Sequence, residues 1–76
     1  MTFERLLSDL SEREDAVVCE IRAEPDIKRR LYDLGFIKGS HVVCAFKSPL
    51  GDPVAYYLKG TLIVLRHQEA SKIIVE

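Results

Sequence analysis

Tryptophan is missing from the 76-residue sequence, methionine occurs once and cysteine twice. Two cysteines, Cys19 and Cys44, cannot build the disulfide framework that a small secreted domain usually needs, which points to a reducing compartment. No apolar run approaches the roughly 20 residues that span a bilayer. The opening Met1-Thr2-Phe3-Glu4-Arg5 lacks the basic region and apolar stretch of a secretory signal, so the expectation is a cytoplasmic protein that reaches a membrane only through a partner. Excess charge is missing too. Eleven basic residues against twelve acidic ones leave a formal charge of -1, and no global field draws the chain onto nucleic acid, which is not expected as a partner.

The constellations of catalysis are also lacking. No serine stands between glycines as in a nucleophile elbow, and Gly35-Phe36-Ile37-Lys38-Gly39 is not followed by the Lys-Ser/Thr of a phosphate loop. No repeat, low-complexity tract or linker divides the chain, so one domain over 1–76 is expected. A chain this short buries only about 60% of its unfolded surface, which leaves little room for a deep pocket. The reading is a non-enzyme with no cofactor.

At the centre of what is present lies Lys47-Ser48-Pro49-Leu50-Gly51-Asp52-Pro53, a turn between two apolar runs. Two prolines fix φ and Gly51 can take positive φ, so the chain reverses there as the tip of a central hairpin, with pairing resuming around Val54. Before it, Phe3, Leu6, Leu7 and Leu10 fall at helical spacing behind Thr2 and predict a short N-terminal helix; residues 1–15 are read as that helix and a charged connection, Ser11-Glu12-Arg13-Glu14-Asp15. Ala16 to Arg22 alternates as a strand with Val17, Cys19 and Ile21 on one face. Glu24-Pro25-Asp26 starts a helix with the stripe Ile27, Leu31 and Leu34; Gly35 ends it and Phe36 folds back as core in a Schellman-like closure.

His41 to Lys47 is the second predicted strand, with Val42, Cys44 and Phe46 sharing a face. Val54, Tyr56 and Leu58 alternate with Ala55, Tyr57 and Lys59 in the third, and Gly60 ends it. Thr61 to Arg66 forms the fourth, apolar at every position of Leu62-Ile63-Val64-Leu65, so its inward face is not specified. His67-Gln68-Glu69-Ala70 is one helical turn before a fifth strand at Lys72-Ile73-Ile74-Val75. Five short strands, with one helix between the first two, predict a mainly β chain whose best match is a small SH3-like barrel; an OB-like barrel and an open α+β sheet are the alternatives.

His41-Val42-Val43-Cys44 has a metal-like spacing, but residues three apart on a strand point to opposite faces and cannot converge on one ion, so no metal site is assigned. His67 reads as solvated. Cys19 and Cys44 share the inward phase and read as small buried hydrophobes with inert thiols. Lys28-Arg29-Arg30 is offset by Glu24, Asp26 and Asp33 and reads as a solvated face. Tyr32, Tyr56 and Tyr57 cannot all point inward; each reads first as a half-buried structural tyrosine, and an exposed one beside a groove would suit protein recognition.

Leu31-Tyr32-Asp33-Leu34-Gly35-Phe36-Ile37-Lys38-Gly39, then Pro49-Leu50-Gly51-Asp52-Pro53, then Gly60, then Leu65-Arg66-His67-Gln68-Glu69-Ala70 and Ile73-Ile74-Val75 together resemble the FeoA family, in order and spacing from about Ala16 to the C-terminus. The resemblance implies an SH3-like barrel and a non-catalytic cytoplasmic accessory of bacterial ferrous-iron uptake, in contact with the GTPase region of a FeoB-type permease. On that reading Tyr32, Tyr57 and Lys59 are the candidate partner-binding residues, as outward groups near the helix and the edge of the third predicted strand. Two rivals are a regulatory domain similar to the C-terminal domain of iron-dependent repressors, and a metal-linked dimer through His41, His67 or acidic groups, with weak self-association.

Overall fold

The computed structural model describes residues 4–76. Along the chain lie β1 (Arg5–Leu6), a 3-10 turn (Leu7–Asp9), β2 (Asp15–Ile21), α1 (Pro25–Leu34), β3 (His41–Lys47), β4 (Val54–Leu58), β5 (Thr61–Leu65), α2 (His67–Ala70) and β6 (Ile73–Val75). The strands form one sheet in the order β1-β6-β2-β3-β4-β5, antiparallel at every step. The molecule is mainly β, as the alternation implies, and all five expected strands are present.

A sixth strand replaces the expected N-terminal helix. Arg5 pairs with Val75 and Leu6 with Ile74, so the free edge of β6 supplies hydrogen-bond partners that a short isolated helix would have to find within itself. The Asp9 carboxylate accepts the Leu6 N–H at 3.0 Å and closes the 3-10 turn. Leu7 and Leu10 are nonetheless buried in the apolar core. Thr2 and Phe3, the other members of the predicted helix, lie outside the described residues.

Two bulges displace the expected faces. On β2 the register passes from Val18 opposite Val75 to Glu20 opposite Ile74, which leaves Cys19 as the extra residue. Ala16 and Val18 are therefore buried ahead of the bulge and Ile21 after it, while Val17 and Cys19 are only half-buried. On β3 the register passes from Cys44 opposite Tyr56 to Phe46 opposite Ala55, with Ala45 extra. Val42 and Cys44 stay in the core, but Phe46 turns out to solvent, 52% exposed. The shared inward phases of Cys19 with Ile21 and of Phe46 with Cys44 are thus corrected.

Pro25 opens α1 in its first turn with Asp26 beside it, where a missing N–H costs nothing and an acidic group faces the positive end of the helix. At the other end Gly35 takes φ 111°, its N–H donating to the Tyr32 carbonyl at 2.9 Å while the Phe36 N–H donates to the Leu31 carbonyl at 3.0 Å. This pair of bonds is the Schellman closure, and Phe36 is fully buried. Leu34, expected in the apolar stripe, is 41% exposed: the helix ends on it and Phe36 occupies the core beyond.

The Lys47–Pro53 turn does more than reverse the chain. The Gly51 N–H donates to the Ser48 carbonyl at 2.8 Å, and the Asp52 carboxylate accepts the His67 N–H at 2.9 Å, capping the first turn of α2.

Candidate functional site

Residues directly opposite on antiparallel strands share a face, so the register of β3, β4 and β5 fixes what the sheet shows to solvent. One outward row runs Val43, Tyr57, Leu62 and a second runs Phe46, Ala55, Val64. Neither row contains a charge. Tyr57 is 51% exposed, Leu62 43% and Val64 58%, with Ala55 buried between Phe46 and Val64. The inward rows carry Tyr56, Leu58 and Leu65 to the core, and burial of the Tyr56 phenol raises its pKa. Scattered apolar side chains are normal on a surface, but two adjacent rows on one sheet face form a patch of the kind that marks contact with another protein.

Lys59 does not belong to a strand, contrary to its place in the expected alternation. It takes φ 54° and Gly60 φ 80°, both left-handed, in the two-residue turn that joins Leu58 to Thr61. The turn brings Lys59 beside Tyr57, and with His41, Val43 and Gly60 they line an open cleft of about 330 Å³. His41 Nε2 lies 2.8 Å from Asp15 Oδ2, and this contact holds the Asp15 carboxyl below its usual pKa.

Tyr32 is 42% exposed on α1 and does not line that cleft; the Lys28 ammonium lies 5.8 Å from its ring centroid. The three candidate contact residues thus separate into a pair, Tyr57 with Lys59, and a single aromatic. Phe46, Leu62 and Val64 escaped the sequence reading. The bulge that turns Phe46 outward has no local signature, and the uninterrupted apolar run of β5 signalled something unusual without saying which side faced water.

A larger cleft of about 630 Å³ opens between α1 and α2, lined by Asp26, Ile27, Arg30, Arg66, Gln68, Glu69 and Lys72. Arg30 and Glu69 form an ion pair across it. Mixed charge of this kind suits mutual anchoring of the two helices. Cys44 is fully buried and Cys19 half-buried, and burial pushes both thiols up, the reverse of nucleophilic activation. Among the described residues no three His, Cys, Asp or Glu side chains are grouped to hold a metal ion. No helix among them is long and apolar enough to cross a membrane.

The sequence pattern of the FeoA domain family matches residues 5–76. Over 70 residues, 92% of its length, the chain is 31% identical to the Fe(2+) transport protein A/Fe(2+) transporter FeoB fusion protein of Porphyromonas gingivalis, and it spans 8% of that protein. The zinc complex of FeoA from Stenotrophomonas maltophilia, described as a procaryotic SH3 domain protein, superposes with a TM-score of 0.84 at 36% identity, covering 95% of this chain and 89% of that one. A manganese-dependent transcriptional repressor shares the fold alone, at 18% identity and TM-score 0.84 over 95% of this chain and 40% of its own. The fold is SH3-like, and with the family pattern running from Arg5 to Glu76 the chain belongs to the FeoA family, which is associated with ferrous iron transport.

Proposed function

We propose that this chain is a non-catalytic cytoplasmic accessory of ferrous-iron uptake that acts by protein contact with the GTPase region of a FeoB-type permease. The observation that carries the reading is the Porphyromonas gingivalis relative, in which the matching segment shares one polypeptide with a FeoB transporter. Such a fusion holds two modules at high effective concentration, an advantage for partners that otherwise meet by diffusion. The charge-free outer face of β3, β4 and β5 and the aromatic-basic pair Tyr57 and Lys59 supply a surface of the composition found at protein interfaces, where aromatic residues are enriched.

The test is ferrous-iron uptake in a strain deleted for this chain, with the triple variant Tyr32→Ala, Tyr57→Ala, Lys59→Ala compared with the natural sequence. The expected result is a folded variant that fails to restore uptake and no longer captures the permease GTPase region. Full restoration by the folded variant would remove these residues from the interface. The repressor-like alternative rests on shared fold alone; it predicts DNA binding above a nonspecific, salt-sensitive background in mobility-shift measurements, and the proposed function predicts none.

A further inference from the structure

β5 ends the sheet and pairs only with β4 among the described residues. Its register follows from the two-residue turn: Leu58 and Thr61 flank the turn as a hydrogen-bonded pair, and the pairs alternate from there. The backbone N–H and C=O of Thr61, Ile63 and Leu65 therefore point to β4, and those of Leu62 and Val64 point away from the sheet. An open strand edge is normally blunted by a charge, a proline or a bulge. Thr61-Leu62-Ile63-Val64-Leu65 carries none of these.

We infer that this edge pairs weakly with the same edge of a second copy of the chain, antiparallel about a two-fold axis through Ile63. That register sets Leu62 of each copy against Val64 of the other, so the four outward backbone groups of each strand all find partners in two hydrogen-bonded pairs. Ile63 then faces its own counterpart in a non-hydrogen-bonded pair. Charge does not oppose this register. Thr61 meets Leu65 and Gly60 meets Arg66, so no charged residue of the strand or its flanks stands directly opposite one of like sign, and the uncharged outward rows of the two copies join into one face. A net charge of -1 adds little repulsion.

Area sets the strength. Of the exposed large apolar side chains only Leu62 and Val64 stand on the pairing strand itself, so the contact falls well short of the roughly 800 Å² that a stable interface buries on each side. The pairing is accordingly transient, populated at high protein concentration and lost on dilution. Because it extends the sheet in its own plane, the outer face stays open to a partner.

Sedimentation equilibrium from about 10 μM to about 2 mM tests the inference. The expected mass rises from that of one 8.6 kDa chain toward two. Val64→Pro removes an N–H that faces away from β4, so the β4–β5 ladder survives while two symmetry-related hydrogen bonds of the dimer are lost; association weakens by at least about tenfold with the unfolding midpoint retained. Leu50→Asp, at a residue 93% exposed on the central turn, leaves association unchanged. Under mild oxidation Ile63→Cys chains link to one another through position 63, found by mass spectrometry of the digest. A single-chain mass at 2 mM overturns the inference, as does undiminished association of folded Val64→Pro. Protection of the Leu62 and Val64 amides that arises only when the permease GTPase region is added would assign the edge to that partner instead.

Discussion

Gly35 shows how one residue ties the helix end to the sheet. Its φ of 111° is the left-handed region that side chains disfavour, and a Cβ built there would stand 3.1 Å from Leu58 Cδ2 in the core. Gly51 has φ 83° but open space around it, so the same substitution meets only the backbone penalty. Left-handed backbone costs an L-residue about 1–2 kcal/mol. Gly35→Ala is therefore expected to lose that amount plus the cost of displacing Leu58, and Gly51→Ala no more than the backbone share. Urea unfolding at equal m-value checks the ordering; equal losses would mean that the Leu58 contact relaxes freely. The closure around Gly35 was legible in sequence because Leu34-Gly35-Phe36 states it within three residues. The displacement of Cys19 from the inward phase was not, because the bulge that moves it depends on β6, more than fifty residues away in sequence.

At the scale of elements, local signals located the strands and α1, and long-range pairing decided the rest. The apolar spacing of Leu6, Leu7 and Leu10 is real helical periodicity, yet the segment becomes β1 and a 3-10 turn because β6 offers it a ladder. Charged contacts then hold this two-residue strand in place. The Arg5 guanidinium meets the Glu14 carboxylate at 2.6 Å, and Arg22 meets Glu4 and Glu20. Arg5 and the Ser11 N–H bring the Glu14 carboxyl down from 4.5 to about 2. A depressed carboxyl pKa contributes stability that is complete above the unfolded value and lost as pH falls through the folded one. The contribution of Glu14 is thus present above pH 4.5 and disappears between 4.5 and about 2. Arg5→Ala should lose less stability than the natural sequence over that window, read as a shallower fall of thermal midpoint with pH. Parallel curves would show that β1 is held by its backbone pairs and by the burial of Leu7 and Leu10 alone.

Across the whole molecule, the SH3-like sheet separates support from contact. The Lys47–Pro53 turn, the strongest motif in the sequence, turned out to serve α2 through Asp52, whereas the exposed apolar rows come from residues that form no motif at all. Tyr57 lies in the middle of one row, between Val43 and Leu62, and beside Lys59 in the cleft; Tyr32 stands on α1 against Lys28. Interface energy concentrates in a few aromatic or arginine side chains ringed by contacts that exclude water. Tyr57 has the apolar neighbours Val43 and Leu62 from which a partner could complete such a ring, and Tyr32 is not among the residues that line its cleft. Dissection of the triple variant should then give unequal parts: Tyr57→Ala weakens capture of the permease GTPase region by roughly tenfold to thirtyfold, the range of a 1.4–2 kcal/mol contact, and Tyr32→Ala by less than about threefold. Both side chains are about half exposed, so stability should change by no more than about 1 kcal/mol in either variant, and thermal unfolding separates a lost contact from a lost fold. Calorimetric titration of the two single variants decides between the surfaces: a larger loss at Tyr32 would move the contact from the β3–β5 face to α1.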